Sequence, residues 1–179
     1  MIEKHPMPVF VPAGAEYLIL GSFATKPSDN YDWFYGNSIN QFWPILESIY
    51  KTPLKTKTEK QELFRSLGIA ITDIILECER IKNSNLDKNL KILKYNNKAI
   101  EKILKENKIK RIFFTSRFVE KLYKRICKKL VNEYPDIRLT LLPSPSPRYA
   151  SLSKEKKVKT YKNLLPKKLI YLKYAGRND

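Results

Sequence analysis

From residue 33 to 43 the chain reads WFYGNSINQFW, which brings two aromatic pairs, a Gly turn and Asn40 into one short span. Flat rings bind flat ligands by stacking, and side-chain amides pair with nucleobase edges or position a water molecule. The span has no regular apolar period, which suits a pocket wall; rings that plug the core are the alternative. A second span, PSPSPRYA from 143 to 150, sets two hydroxyls and an Arg on a Pro-stiffened turn. Pro fixes backbone angles and removes donors, so the loop presents a rigid surface at small entropic loss. Ahead of a basic helix, such a loop suits gripping phosphates and wedging between stacked bases. A proline-rich surface turn reads equally well.

Other chemistries find little support. His5 is the one His and precedes the first predicted strand. A Ser–His or Cys–His pair would have to recruit it from the terminus, so none is expected. Cys78 and Cys127 stand apart without a CxxC, against structural zinc, an iron–sulfur cluster or a disulfide framework. Neither GxxxxGK nor GxGxxG occurs, so neither phosphate-cradling loop is present. A hydrolase built on this chain would have to work without His, thiolate or metal. Cleavage of an N-glycosidic bond can proceed so, because the sugar departs as an oxocarbenium-like cation onto which a positioned water collapses. A neutral amide suffices to orient that water.

The elements that would position these residues follow from apolar spacing. Residues 15–22, 68–76, 109–116 and 137–144 read as buried strands, the second running to Thr72 or Asp73. Helices are predicted from Phe42 (with Pro44 in the first turn), over 57–68 closed by Gly68, over 96–107, over 117–134 and over 154–165. The alternation implies a single three-layer α/β/α domain over residues 1–179, with a central, mostly parallel four-stranded sheet. In such a sheet ligands bind outside the carboxyl ends of the strands. The segments 21–25, 33–40, Asp73, Thr115-Ser116 and 143–150 would gather there, which favours the pocket-wall reading. Asp73 ends the second strand and is expected to cap a following helix, with reading a base edge or activating water as the alternatives. Asp29 and Asp32 read as solvated loop acids.

The 179 residues carry 35 basic and 18 acidic side chains, a formal net charge of +17. That excess favours a polyanion, since each phosphate neutralised releases counterions, although AT-rich coding also enriches Lys, Asn and Ile. Lys154, Lys156, Lys157 and Lys159 form the expected DNA-facing patch. No apolar run approaches the ~20 residues that span a bilayer. MIEKHPMPVF lacks a signal-peptide core, so a cytoplasmic location is expected, nucleoid-associated in a prokaryote. No membrane and no obligate protein partner is indicated.

HP at His5-Pro6, LILGSF (18–23), FYGNSINQFWP (34–44), GIAITDIILECER (68–80), IFFTS (112–116) and LPSPSP (142–147) follow one another through nearly the whole chain. In that order they resemble the uracil-DNA glycosylase superfamily, most closely its hypoxanthine-DNA (deoxyinosine) glycosylase branch. The resemblance implies a monofunctional DNA glycosylase acting on damaged DNA, with uracil or hypoxanthine as the excised base and no cofactor. It places the catalytic residue at Asn40 and the base-stacking ring at Tyr35. The first-strand motif, Gly21, Ser22 and Phe23, would line the base pocket beside Asp73. The 143–148 loop would pinch the DNA backbone through Ser144, Ser146, Pro147 and Arg148, with Lys156 and Lys157 beyond it. The chain departs from the branch in GSFAT, which lacks a Pro, in Asn37-Ser38 where His-Pro is usual, and in Pro145 where Thr is common. Phe23 stands where mismatch-specific uracil relatives carry a water-activating Asn. The rival expectations are a catalytically silent DNA- or nucleotide-binding relative, and an N-glycosidase of nucleosides or RNA.

Overall fold

Apolar strands with no polar face are stable only in a sheet covered on both sides, and four of them pair here. The computed structural model describes residues 1–24, 32–81, 84 and 86–167. In chain order its first elements are β1 (Ile2–Lys4), β2 (Tyr17–Gly21), α1 (Phe42–Tyr50), α2 (Lys57–Leu67), β3 (Ile69–Asp73) and β4 (Ile75–Arg80). There follow β5 (Leu90–Tyr95), α3 (Asn97–Glu106), β6 (Arg111–Phe114), α4 (Arg117–Ile126), α5 (Lys128–Glu133), β7 (Arg138–Leu141) and α6 (Lys154–Leu164). The central sheet has the order β3-β2-β6-β7 and is parallel throughout. Leaving β2, the chain goes first to one side of it and later to the other, which creates the switch point where open α/β sheets bind ligands.

Alternation along the strands divides the core into two layers. Leu18, Leu20, Ala70, Ile112 and Phe114 pack with Ile100, Leu104, Val119 and Leu122 of α3 and α4. Ile19, Ile69, Ile71 and Phe113 face Phe42, Ile45, Phe64 and Tyr161 of α1, α2 and α6. The three-layer α/β/α architecture with its parallel four-stranded sheet is therefore present. No helix among the described residues is long and apolar enough to cross a membrane.

Two local expectations need correction. The run 68–76 is not one strand: β3 ends at Asp73 and β4 begins at Ile75. β4 joins a second sheet, antiparallel and ordered β1-β4-β5. Asp73 is thus followed by a strand, so it caps no helix. Charged residues and a register shift in β4, which pairs irregularly between Ile75 and Cys78, hide its period of two. The run 117–134 is two helices, α4 and α5, interrupted at Cys127. Elsewhere local chemistry sets the ends as expected. Thr56 and Glu59 form a capping box for α2, and Gly68 closes it at φ +63°.

Candidate active site

Strand register brings the first site residues together. Gly21 lies beside Asp73 across the β2–β3 ladder, and the Thr115 N–H donates to Leu20 O at the end of β6. These three carboxyl ends form the base of a cavity of about 510 Å³. Its wall comes from the aromatic span, its lip from the 143–148 loop, and one side from the turn at Asp87–Asn89.

The aromatic span serves both expectations at once. Trp33, Phe42 and Trp43 are core rings, Trp33 stacking on Trp43 at 5.4 Å. Trp43 Nε1 donates to Phe34 O (2.8 Å), which fastens the span to α1. Tyr35, Asn37 and Asn40 face the cavity. The backbone of Tyr35 is left-handed (φ +56°), unusual for an aromatic residue and a mark of local strain. That conformation lays its ring on Phe42 (centroids 4.2 Å apart) and carries its hydroxyl to Thr115 Oγ1 (2.9 Å). Burial, and then the charge of Asp73, push the Tyr35 phenol well above its usual range, so it stays protonated. Gly21 does not line the cavity. It lies below, and a Cβ there would overlap both Asp73 Oδ1 and Tyr35 Oη.

Asn40 Oδ1 accepts the Phe42 N–H (2.9 Å) just ahead of α1. The amide is thereby fixed at the helix entrance while remaining on the cavity wall. One oxygen lone pair is used, which leaves a second lone pair and the N–H donors for a ligand or water.

Asp73 has a partner that sequence reasoning set aside. His5 Nε2 lies 2.8 Å from Asp73 Oδ2, with both side chains almost fully enclosed. Pairing of β1 with β4 explains the encounter: the His5 N–H donates to Leu76 O, three residues beyond Asp73. The imidazole packs between Phe23 and Phe34. Burial opposes its charge, but the hydrogen bond and charge of Asp73, with the Met7 carbonyl, outweigh that and raise its pKa. A second carboxyl missed from sequence is Asp87, bonded by the Ser22 side chain. Burial raises its pKa, the charge of Asp73 adds to this, and Ser22 and Arg80 act against it. Arg80 steadies this side, donating to Glu3 and to Ala24 O while lying over the Phe23 ring. Asp32 is half exposed and 3.5 Å from Lys60 Nζ, whereas Asp29 lies outside the described residues.

The 143–148 loop is braced from behind. Gln41 N–H donates to Pro145 O (2.9 Å), and Tyr161 Oη to Pro143 O (2.8 Å). Ser144 Oγ accepts the Ser146 N–H, and Ser146 Oγ accepts the Arg148 N–H, so both hydroxyl protons remain to be donated outward. Ser144, Ser146, Pro147 and Arg148 all border the cavity, with Pro147 and Arg148 exposed.

Lys157 corrects the basic patch. Lys156 is exposed, but Lys157 is 1% exposed and cannot reach a surface ligand. Its ammonium donates to Gln41 Oε1 (2.9 Å) and Ser146 O (3.1 Å), tying the loop to the residue beside Asn40. Burial lowers its pKa. Lys157→Met keeps the stem and deletes the donors, so unfolding in urea should show about 1–3 kcal/mol lost. Lys156→Met should stay within about 0.5 kcal/mol of wild type. Equal behaviour of the two variants would remove the brace.

No family model and no curated protein matches the chain. Among solved structures it is similar to the solution NMR structure of a "putative Uracil DNA glycosylase" from Methanosarcina acetivorans. The TM-score is 0.68 at 22% sequence identity, covering 91% of this chain and 98% of that one. The parallel sheet, its covering helices and the cavity at the strand ends are thus set in the fold of that protein.

Proposed function

We propose that the chain is a monofunctional DNA glycosylase of the uracil-DNA glycosylase superfamily, on the hypoxanthine-DNA glycosylase side. Its reaction is hydrolysis of the N-glycosidic bond of a deaminated base, uracil or hypoxanthine. The observation that carries this reading is that Asn40, Asp73 and the Ser144–Arg148 lip border one cavity of nucleobase-accommodating size. The likeness to the Methanosarcina protein supports it, as does the charge of +17. A base inside a duplex is out of reach, so the nucleotide must first be extruded. Arg148 and the outward hydroxyls of Ser144 and Ser146 hold the backbone at the lip while the base descends toward Tyr35 and Asp73. The C1′–N bond breaks with its electron pair leaving on the base. Asn40 orients the water that adds to C1′, and the water's proton balances the departing base. The products are an abasic site and the free base. A cytoplasmic, nucleoid-associated location fits such a substrate.

Labelled oligonucleotides carrying uracil, hypoxanthine or xanthine test the reading. Incubation should leave at least one of them intact until alkali is added, then cut at the modified position. Full-length product after alkali in every case would overturn the glycosylase. Binding without cutting would leave a silent DNA-binding protein, and turnover confined to free nucleosides a nucleosidase.

A further inference from the structure

We propose that Lys157 is the buried cation of a phosphate seat, and that a DNA phosphate on the Ser144–Ser146 lip supplies the counter-charge that the fold withholds from it. The inference rests on the glycosylase reading and deepens it, by giving the substrate backbone a partner behind the protein surface. A buried ammonium is ordinarily matched by a carboxylate, because it has left water behind. Lys157 is buried, yet it forms no ion pair with any described residue. Its partners are Gln41 Oε1, Ser146 O and the Tyr149 ring, whose centre is 5.5 Å from the ammonium. All three are neutral. On α6 itself Lys154 lies one turn earlier, and Glu155, two positions away, belongs to another side of the helix. The lip adds Arg148, and on α1 the carboxylate of Glu47 is taken by Lys55 and the Leu54 N–H.

The seat lies directly over this charge. Ser146 O accepts both the ammonium and the Tyr149 N–H, which closes the turn that carries Arg148. Ser144 and Ser146 have their hydroxyl protons free on the same loop. A phosphate bonded to those hydroxyls is separated from the ammonium by one thickness of peptide backbone. A charge held away from solvent is weakly screened, so it acts across that distance without touching the phosphate.

Charge and brace can be separated. An ammonium has three N–H donors and a neutral amine two. Two suffice for Gln41 and Ser146, so loss of the proton removes the charge and leaves both hydrogen bonds. Burial lowers the Lys157 pKa, so this happens at a pH where exposed lysines keep their charge. A phosphate on the lip raises the pKa again. Affinity is therefore full below the pKa of the free protein, and above it binding must take up a proton and weakens as pH rises. Stability moves the other way. The folded pKa lies below the unfolded one, so the free fold gains as the proton leaves, and weaker binding there is not unfolding. Tyr161, also buried on this face of α6, keeps its phenolic proton because burial raises its pKa.

The experiment uses the full chain and a fluorescent duplex carrying a tetrahydrofuran abasic analogue, which has no base to cut. Binding is titrated from about pH 7 to about 9.5 at fixed ionic strength, and proton uptake is read by calorimetry in two buffers of unlike ionisation heat. Wild type should lose about tenfold or more in affinity over that range while taking up part of a proton, a result that needs no variant. Lys157→Met should bind weakly at every pH, with the slope gone. Tyr149→Phe should keep the slope, since it retains the ring and removes the other titratable group beside the ammonium. Replacing one particular phosphate by a methylphosphonate should abolish the slope in wild type. Affinity independent of pH, a slope that persists in Lys157→Met, or one that survives every single phosphate replacement would overturn the inference, and excision of uracil or hypoxanthine would then leave the glycosylase standing. The expected slope without excision of any modified base would keep the seat and remove the glycosylase. No binding at any pH would overturn both.

Discussion

Asn40→Ala should fold and still bind damaged DNA, yet lose about 10²–10⁴-fold in single-turnover excision, the usual contribution of a well-placed polar group to proton and water handling. The same substitution deletes the acceptor for the Phe42 N–H. A loss of about 1 kcal/mol in stability should therefore accompany it. Asn40→Ser separates the two effects, because a short hydroxyl can still cap the helix but cannot reach into the cavity as an amide does. Stability close to wild type with excision as poor as in Asn40→Ala would establish the amide's role in turnover. A lowered melting point in Asn40→Ala with an undiminished rate would make Asn40 a cap alone and move the chemistry to Asp73.

The second large effect is expected at Gly21. A methyl group there would occupy the space now held by Asp73 Oδ1 and Tyr35 Oη, neither of which can yield easily. Asp73 is clamped by His5, and Tyr35 by Phe42 and Thr115. Gly21→Ala should cost about 1–3 kcal/mol, as overpacked sites do. Displacement of the two side chains should also reduce excision by about 10²-fold. Ser22→Ala, one residue along, adds no atoms and deletes only the hydroxyl bonded to Asp87, so it should cost about 1 kcal/mol and leave Asp73 and Tyr35 in place. Full activity in Gly21→Ala would show that Asp73 and Tyr35 can move apart without consequence.

The α/β/α architecture was legible because β2, β3 and β6 each carry a short buried apolar run, β7 leads into the buried Leu142, and the helices between them keep their period. The small antiparallel sheet was not, since β1 spans only Ile2–Lys4 and β4 intersperses Glu77, Glu79 and Arg80 with its buried positions. Missing that sheet meant missing His5, which reaches Asp73 only through β1–β4 pairing. The one sequence signal was the His5-Pro6 pair in the family resemblance, and its lack of nearby partners argued against a role. Lys157 was readable in principle. It shares a helical face with Tyr161 and Leu164 at spacings of four and seven, but a run of lysines suggests solvent before it suggests a buried brace. Asn40, Tyr35 and the 143–148 loop reached the same cavity because each adjoins an element whose place was already fixed by the apolar pattern.

The His5–Asp73 bond spans 68 residues of sequence, and the Lys157–Gln41 bond spans 116. Contacts of such separation are late to form, because the loop they close must first surrender its freedom. Both ends of the described chain are thus needed before Asp73 is held by His5 and the lip is braced by Lys157. A nascent polypeptide still short of Lys157 on the ribosome has neither brace nor finished pocket. Its sheet can begin to assemble, but the finished cavity arrives only with α6.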